Sequence, residues 1–343
     1  MSSSAAIVPP NPPPPSTLPL HPSPSLLERV KDLSPIDVEK ELFRVKRNMG
    51  AYYAKGYYQD ALHCAAEMEE AIELLMGRQT AMYASAINNV ALMNKMLGNI
   101  PQAMDKYTQS LQIYRDVVGK NHSSYAATLS NLGILYRAQA EGAKGIERHE
   151  LLLRAEEALG DAHALRLTLH GAHHRDTLTS LNNLAAMHRI AGRTAKAEEA
   201  LLQSLATCRK HYGADALTAQ TLNALGILCK SQKRLSEARS YYAEALQIRS
   251  STIGDAHPDT IVSKHNMAEL LLELGGESEA RVLQEEILGV TEKIAASRTP
   301  SAPAPALSPA PAPAPAPASA TAQKAPAVVE PPPYTFATRR KKQ

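Results

Sequence analysis

The chain has 343 residues, and its 37 lysines and arginines against 34 aspartates and glutamates give a formal charge of only +3 at pH 7. This balance lacks the strongly basic character of a nucleic-acid-binding protein and argues against nucleic acid as the partner. With no tryptophan and only 2 phenylalanines, the core must consist of Leu, Ala, Ile, Met and Tyr. Such a composition favours closely packed helices over β-sheets.

Residues 1–33 are rich in proline, including the run from Pro12 to Pro15. Because proline lacks an N–H group and fixes φ, we predict that this segment is extended and disordered. Folded structure is predicted to begin at Ser34, which can cap a helix that has Pro35 in its first turn. The segment also lacks the basic and apolar pattern of a secretory signal.

Residues 297–343 are dominated by alternating alanine and proline and end in a basic cluster. We expect a disordered tail with polyproline II character. Its residues Pro331, Pro332 and Tyr334 fit the PPxY pattern that WW domains bind, although a match this short also arises easily by chance in a proline-rich tail.

A four-residue unit of the Leu-Asn-Asn-Leu type recurs between the tails. Its first residues are Ile87, Leu129, Leu181, Leu222 and Lys264, spaced by 42, 52, 41 and 42 residues. A second series keeps nearly the same spacing: Gly77, Gly119, Gly171, Gly213 and Gly254. A fixed period in this range predicts a solenoid of stacked repeats.

Each unit has the pattern of a helix, a short turn and a second helix. In the fourth unit, for example, Leu181 and Leu184 share a helical face, Gly192 breaks the pattern, and Ala197 lies in the next helical stretch. We therefore predict an all-α solenoid of about six repeats over residues 34–296.

The third unit carries ten extra residues between its two helices. We predict that residues 141–153 form a longer loop followed by an early start of the second helix. Insertions of this kind project from one rim of a solenoid and often contact partners, but tolerated variation in loop length explains the insertion equally well.

The segment Leu129-x2-Leu132-Gly133-x2-Tyr136 resembles the tetratricopeptide signature with Leu in place of Trp. The period near 42 and the Gly-Asp-Ala-His-Pro-Asp sequence from Gly254 resemble the kinesin light chain subclass of these repeats. The resemblance implies a right-handed superhelix in which the first helix of each repeat lines a concave groove. The N-terminal segment, however, lacks the heptad coiled coil of kinesin light chains, which argues against membership of a motor.

Catalytic motifs such as GxSxG, HExxH, a P-loop or CxxC are absent from the sequence. Four histidines are close in sequence: His163, His170, His173 and His174. They lack carboxylate or thiolate partners at metal-site spacing, and His174 occupies the inter-repeat position that His122 and His257 also occupy. We therefore predict turn residues, no metal, no cofactor, no small-molecule substrate and no enzymatic activity.

Two repeat positions suggest a binding surface, when the first residue of the four-residue unit is numbered position 4. Position 5 holds Asn88, Ser130, Asn182, Asn223 and His265, and position 12 holds Lys95, Arg137, Arg189 and Lys230. Residues seven apart share one helical face. Asparagine amides can bond the backbone of an extended peptide, and the cations can pair with its carboxylates. Alternatively, the position 12 cations are merely solvated and the position 6 asparagines, such as Asn89, stabilise stacking.

These features predict a scaffold or adaptor that binds extended, acidic segments of other proteins in its groove. Three scattered cysteines and the absence of a long apolar run favour a cytoplasmic protein without a membrane span. Analogy with related repeat proteins adds attachment to the cytoskeleton or a cilium as an option. Two alternatives stay open: a targeting or regulatory subunit of an enzyme complex, and a cytoskeletal or ciliary structural component.

Overall fold

A computed structural model describes residues 25–296, in which the chain forms helices and no strands. The helices are α1 (Leu26–Val30), α2 (Pro35–Ala54), α3 (Tyr58–Met76), α4 (Ala81–Met96), α5 (Ile100–Val117), α6 (Ser123–Gly142), α7 (Gly145–His170), α8 (Arg175–Ile190), α9 (Thr194–Tyr212), α10 (Ala216–Ser231), α11 (Leu235–Thr252), α12 (Pro258–Glu273) and α13 (Glu277–Ala296). From α2 onwards they form six consecutive antiparallel pairs. The predicted all-α superhelix is confirmed.

The first helices of the pairs, called inner helices below, lie on the concave side of the superhelix. Each helix packs on the next one in the chain, and from α4 to α12 each inner helix also contacts the inner helix of the following repeat. The backbones of the second helices, called outer helices, do not approach one another to a comparable extent in the described residues. The stack therefore curves towards the inner helices, and one repeat position forms a row along the concave surface.

The turn inside each repeat requires a left-handed residue. Gly98 and Gly192 have φ angles of 79° and 76° at this point, where glycine has no steric penalty. In the fifth repeat Lys233 takes the same conformation with φ of 63°. The predicted breaks between inner and outer helices are thereby confirmed.

Small residues occupy the points where inner and outer helices cross. The alanines of this series are fully buried: Ala61, Ala103, Ala155, Ala197, Ala238 and Ala280. On the facing inner helix, a Cβ added to Gly226 would lie 2.4 Å from the ring of Tyr242, itself 1% exposed. Close approach of the two helices therefore depends on the lack of a side chain at Gly226.

The described residues include a helix, α1, upstream of the boundary predicted at residue 34. Ser25 and Glu28 form a capping box at the start of α1, and Leu26 and Val30 are buried against the first repeat. The backbone N–H of Leu26 also donates to Glu67 of α3. The proline-rich run ends at Pro24. Leu26 and Val30 are four residues apart and form one apolar helical turn that covers the end of the solenoid. The rest of the predicted N-terminal segment and residues 297–343, including Pro331, Pro332 and Tyr334, lie outside the described residues.

The insertion in the third repeat lengthens both helices instead of forming a longer loop. Only Ala143 and Lys144 separate α6 from α7, which contain 20 and 26 residues, whereas α4, α8, α10 and α12 contain 16 each. The expected early start of the second helix is confirmed, but the expected long loop is wrong. Strong helix formers such as Gln139 and Glu141 allow α6 to continue, and Arg148 donates to the carbonyl oxygens of Ala140 and Ile190, which ties α7 to the ends of α6 and α8.

Substitution of Gly226 by alanine should destabilise the fold. The added methyl group must displace the buried Tyr242 ring, which we expect to cost about 1–3 kcal/mol. The matched control is Gly160→Ala within α7, where an added Cβ meets no atom within 4 Å and helix propensity favours alanine by roughly 0.5–1 kcal/mol. Thermal unfolding followed by circular dichroism distinguishes the two. Equal melting temperatures for both variants would contradict this packing.

Limited proteolysis should leave a single resistant fragment that corresponds closely to residues 25–296. The proline-rich segments on either side have little apolar content with which to pack, whereas α6 and α7 pack against each other across the insertion. Mass spectrometry of the digest identifies the ends. Two stable fragments divided near residue 145 would contradict a continuous solenoid.

Candidate functional site

The position 5 asparagines connect neighbouring inner helices. Asn182 of α8 is 4% exposed, and its Nδ2 donates to Oγ1 of Thr221 in α10 at 2.8 Å. The Oδ1 of Asn88 in α4 accepts from Oγ1 of Thr128 in α6 at 3.1 Å. These buried or half-buried hydrogen bonds fix the stacking of one repeat on the next.

The third predicted asparagine has a similar environment. Asn223 of α10 accepts through Oδ1 from Nδ2 of Asn266 in α12 at 2.9 Å, and both residues are buried. Its partner occupies position 6, for which sequence analysis offered a stacking role. The contacts of Asn88, Asn182 and Asn223 favour stacking for position 5 as well, and their binding to a ligand stays a prediction.

The four predicted cations form a row along the concave surface, which we call the cationic row: Lys95 (α4), Arg137 (α6), Arg189 (α8) and Lys230 (α10). Desolvation, and next the positive charge of Arg137, lower the pKa of Lys95. Burial likewise lowers the pKa of Arg137; Glu141 opposes this shift, and Arg189 adds to it. Lys95 and Arg189 each therefore lie close enough to Arg137 for their positive charges to repel its charge.

The cationic row is neutralised unevenly. Lys230 Nζ lies 2.9 Å from Glu269 Oε2, and Arg189 Nη2 lies 3.9 Å from Glu141 Oε1. Lys95 and Arg137, by contrast, form no ion pair with any residue between 25 and 296, and the Nε of Arg137 is buried without a hydrogen-bond partner there. Partly desolvated cations without counter-ions are unfavourable in a folded protein.

An aromatic pair precedes the cationic row. Tyr53 of α2 occupies position 12 of the first repeat, and its ring centroid is 5.7 Å from that of Tyr58. Burial raises the pKa of Tyr53, and the Asp259 carboxylate of α12 raises it further.

One functional candidate, Glu141, was not identified from sequence. Glu141 follows Arg137 by one helical turn, but this relation becomes visible only if α6 continues into the insertion. Because residues 141–153 were predicted to begin with a loop, Glu141 was not expected to lie beside Arg137.

The inter-repeat histidines act as helix caps. His122, His174 and His257 each precede an inner helix, and their Nδ1 atoms accept from the backbone N–H two residues later at 3.2 Å. The predicted turn role is confirmed. In the same region, His170 stacks on His174 with ring centroids 4.5 Å apart. Within residues 25–296, no three His, Cys, Asp or Glu side chains are arranged to hold a metal ion.

Among the described helices, none combines the length and the apolar character needed to cross a membrane.

Comparison with known proteins is in accord with the repeat pattern. One tetratricopeptide repeat model matches residues 82–144 and 212–293, and a second matches residues 177–215. Together they cover about half of the chain. No curated protein sequence shows significant similarity.

Several solved structures are similar in fold. A Rap protein complexed with Competence and Sporulation Factor has a TM-score of 0.51 at 13% identity, covering 76% of this chain and 80% of its own. BtubC (BKLC) from P. vanneervenii has a TM-score of 0.49 at 18% identity and covers 74% and 96%. A putative kinesin light chain from Podosopora anserina has a TM-score of 0.46 at 20% identity and covers 62% and 97%. The repeat models and the six helix pairs show that this chain belongs to the tetratricopeptide repeat family.

Proposed function

We propose that the chain is a non-enzymatic scaffold or adaptor whose concave groove binds an extended, acidic segment of a partner protein. The single observation that supports the site is the pair Lys95 and Arg137, two partly desolvated cations that form no ion pair with the described residues, although the charge of Glu141 partly offsets the effect of burial on Arg137. A partner carboxylate would relieve their mutual repulsion and replace the interactions with water that burial removes. Charge-assisted hydrogen bonds of this kind contribute more than neutral ones.

The spacing of the repeats suggests which acidic segment fits. Packed helices are about 8–10 Å apart, so cations on neighbouring inner helices are separated by a similar distance. A polyproline II segment advances about 3.1 Å per residue and completes a turn in three residues. Carboxylates three residues apart in such a segment would face Lys95 and Arg137 together.

A protein of similar fold is known in complex with another molecule. The Rap protein that resembles this chain was crystallised in complex with Competence and Sporulation Factor. The cysteines of this chain, Cys64, Cys208 and Cys229, are buried and unpaired, in keeping with our proposal of a cytoplasmic protein. A targeting subunit of an enzyme complex, or a cytoskeletal or ciliary component, would use the same groove for a different partner.

Replacement of Lys95 and Arg137 by methionine should weaken binding of an acidic peptide while the helices remain intact. The probe is a fluorescein-labelled peptide of repeated Glu-Ser-Pro triplets, measured by fluorescence anisotropy at low salt. We expect a loss of about 1–3 kcal/mol per desolvated charge-assisted bond, or ~0.2–1 kcal/mol for each exposed pair. Added salt should reduce binding by the wild type more than binding by the variant.

The control variant is Lys196→Met, which removes an exposed cation from the outer helix α9 and should leave the affinity unchanged. A peptide of Gln-Ser-Pro triplets controls for binding that does not involve charge. If the double variant, fully helical by circular dichroism, bound the acidic peptide as tightly as the wild type, the groove would not be an acidic-segment site.

A further inference from the structure

The carboxylate of Glu141 lies inside the cationic row, and the insertion places it there. Because α6 continues to Gly142, Glu141 is still helical and lies one turn beyond Arg137. Its Oε1 is 3.9 Å from Nη2 of Arg189 on the next inner helix. Burial lowers the pKa of Arg137, and the charge of Glu141 counteracts that shift. One carboxylate therefore acts on two neighbouring cations.

The corresponding residues of the other repeats cannot take this position. Tyr57, Asn99, Arg193 and Arg234 each follow the turn and immediately precede an outer helix, where they serve as N-cap residues. Only in the third repeat does the inner helix extend far enough to place a residue in the groove at this point. The insertion thus adds a carboxylate to a surface that is otherwise cationic at this level of the groove.

We propose that Glu141 is a built-in competitor that occupies Arg137 and Arg189 and so limits how tightly an acidic ligand binds. This inference rests on the proposed function. The competitor is easily displaced, because the distance to Arg189 exceeds that of a hydrogen bond and the two side chains are 28% and 35% exposed. An incoming acidic segment can therefore replace it.

The competition also gives the groove a direction. Lys95 forms no ion pair with any residue between 25 and 296. Glu141 partly neutralises Arg137 and Arg189, and Lys230 forms an ion pair with Glu269 at 2.9 Å. Positive charge is thus least compensated at Lys95 and most compensated at Lys230. An acidic segment binds first at the Lys95 end and extends along the row only as far as it displaces Glu141.

The test is Glu141→Gln, which removes the charge and keeps the size and helix propensity of the side chain. Binding of the Glu-Ser-Pro peptide at low salt should become about two- to fivefold tighter, the size expected for an exposed pair. The control is Glu150→Gln in α7, which removes an exposed carboxylate that forms no ion pair within the described residues. Neither variant should alter binding of the Gln-Ser-Pro peptide.

A second variant, Glu141→Lys, should increase the affinity further because it adds a cation to the row. Melting temperatures of both variants separate an effect on binding from an effect on stability. Unchanged or weaker binding by Glu141→Gln, together with a loss of binding by the Lys95 and Arg137 double variant, would overturn the competitor role and leave the groove proposal standing. If no variant altered binding, both proposals would be wrong.

Discussion

Close contact between inner and outer helices is the constraint on which the rest of the structure depends. It requires the absence of a side chain at Gly226 and no more than a methyl group at positions such as Ala197 and Ala238, which are fully buried. Because these contacts recur with the repeat, each inner helix meets its neighbour in nearly the same way. Rows of equivalent residues along the groove are a direct consequence, so core packing determines where the surface charges lie.

The hydrogen bonds between inner helices add a second, polar component to the stacking. Asn182 with Thr221, and Asn223 with Asn266, are bonded in a buried environment in which a missing partner would be costly. Such bonds favour one rotation and one offset of each repeat on the next. They hold the row of position 12 residues in register, and an extended ligand that contacts several repeats requires that register.

Charge compensation distinguishes one part of the groove from another. Ion pairs such as Arg209 with Glu244 and Arg239 with Glu279 link consecutive outer helices, where both partners are exposed. On the inner surface Lys95 and Arg137 lack such partners in the described residues, although desolvation makes their charge more costly there. The two cations without an ion pair in the described residues thus lie on inner helices, whereas these ion pairs link outer helices.

The sequence allowed prediction of most of the repeat architecture, because the 42-residue spacing and the turn glycines are local signals that recur. Prediction failed where tertiary contacts decide. Residues 141–153 contain glycines that suggest a loop, but helix propensity around Glu141 and the bonds of Arg148 to the ends of two inner helices keep the region helical. The roles of Asn88 and Asn182 depended on contacts with the following repeat, which position in one helix does not reveal. The cationic row was found because seven-residue spacing specifies a face, whereas its compensation by Glu141 depended on the length of α6.

Measurement of the Lys95 pKa is the most direct test of the proposal that the groove contains partly desolvated cations to which an anionic ligand binds. Reductive ¹³C-methylation keeps the charge of lysines and makes each one visible by NMR, and a Lys95→Arg variant assigns the signal. We predict a pKa for Lys95 below the ordinary range of lysine. This pKa should rise when the Glu-Ser-Pro peptide binds, because a nearby carboxylate favours the charged form. An ordinary pKa that the acidic peptide leaves unchanged would contradict the proposal.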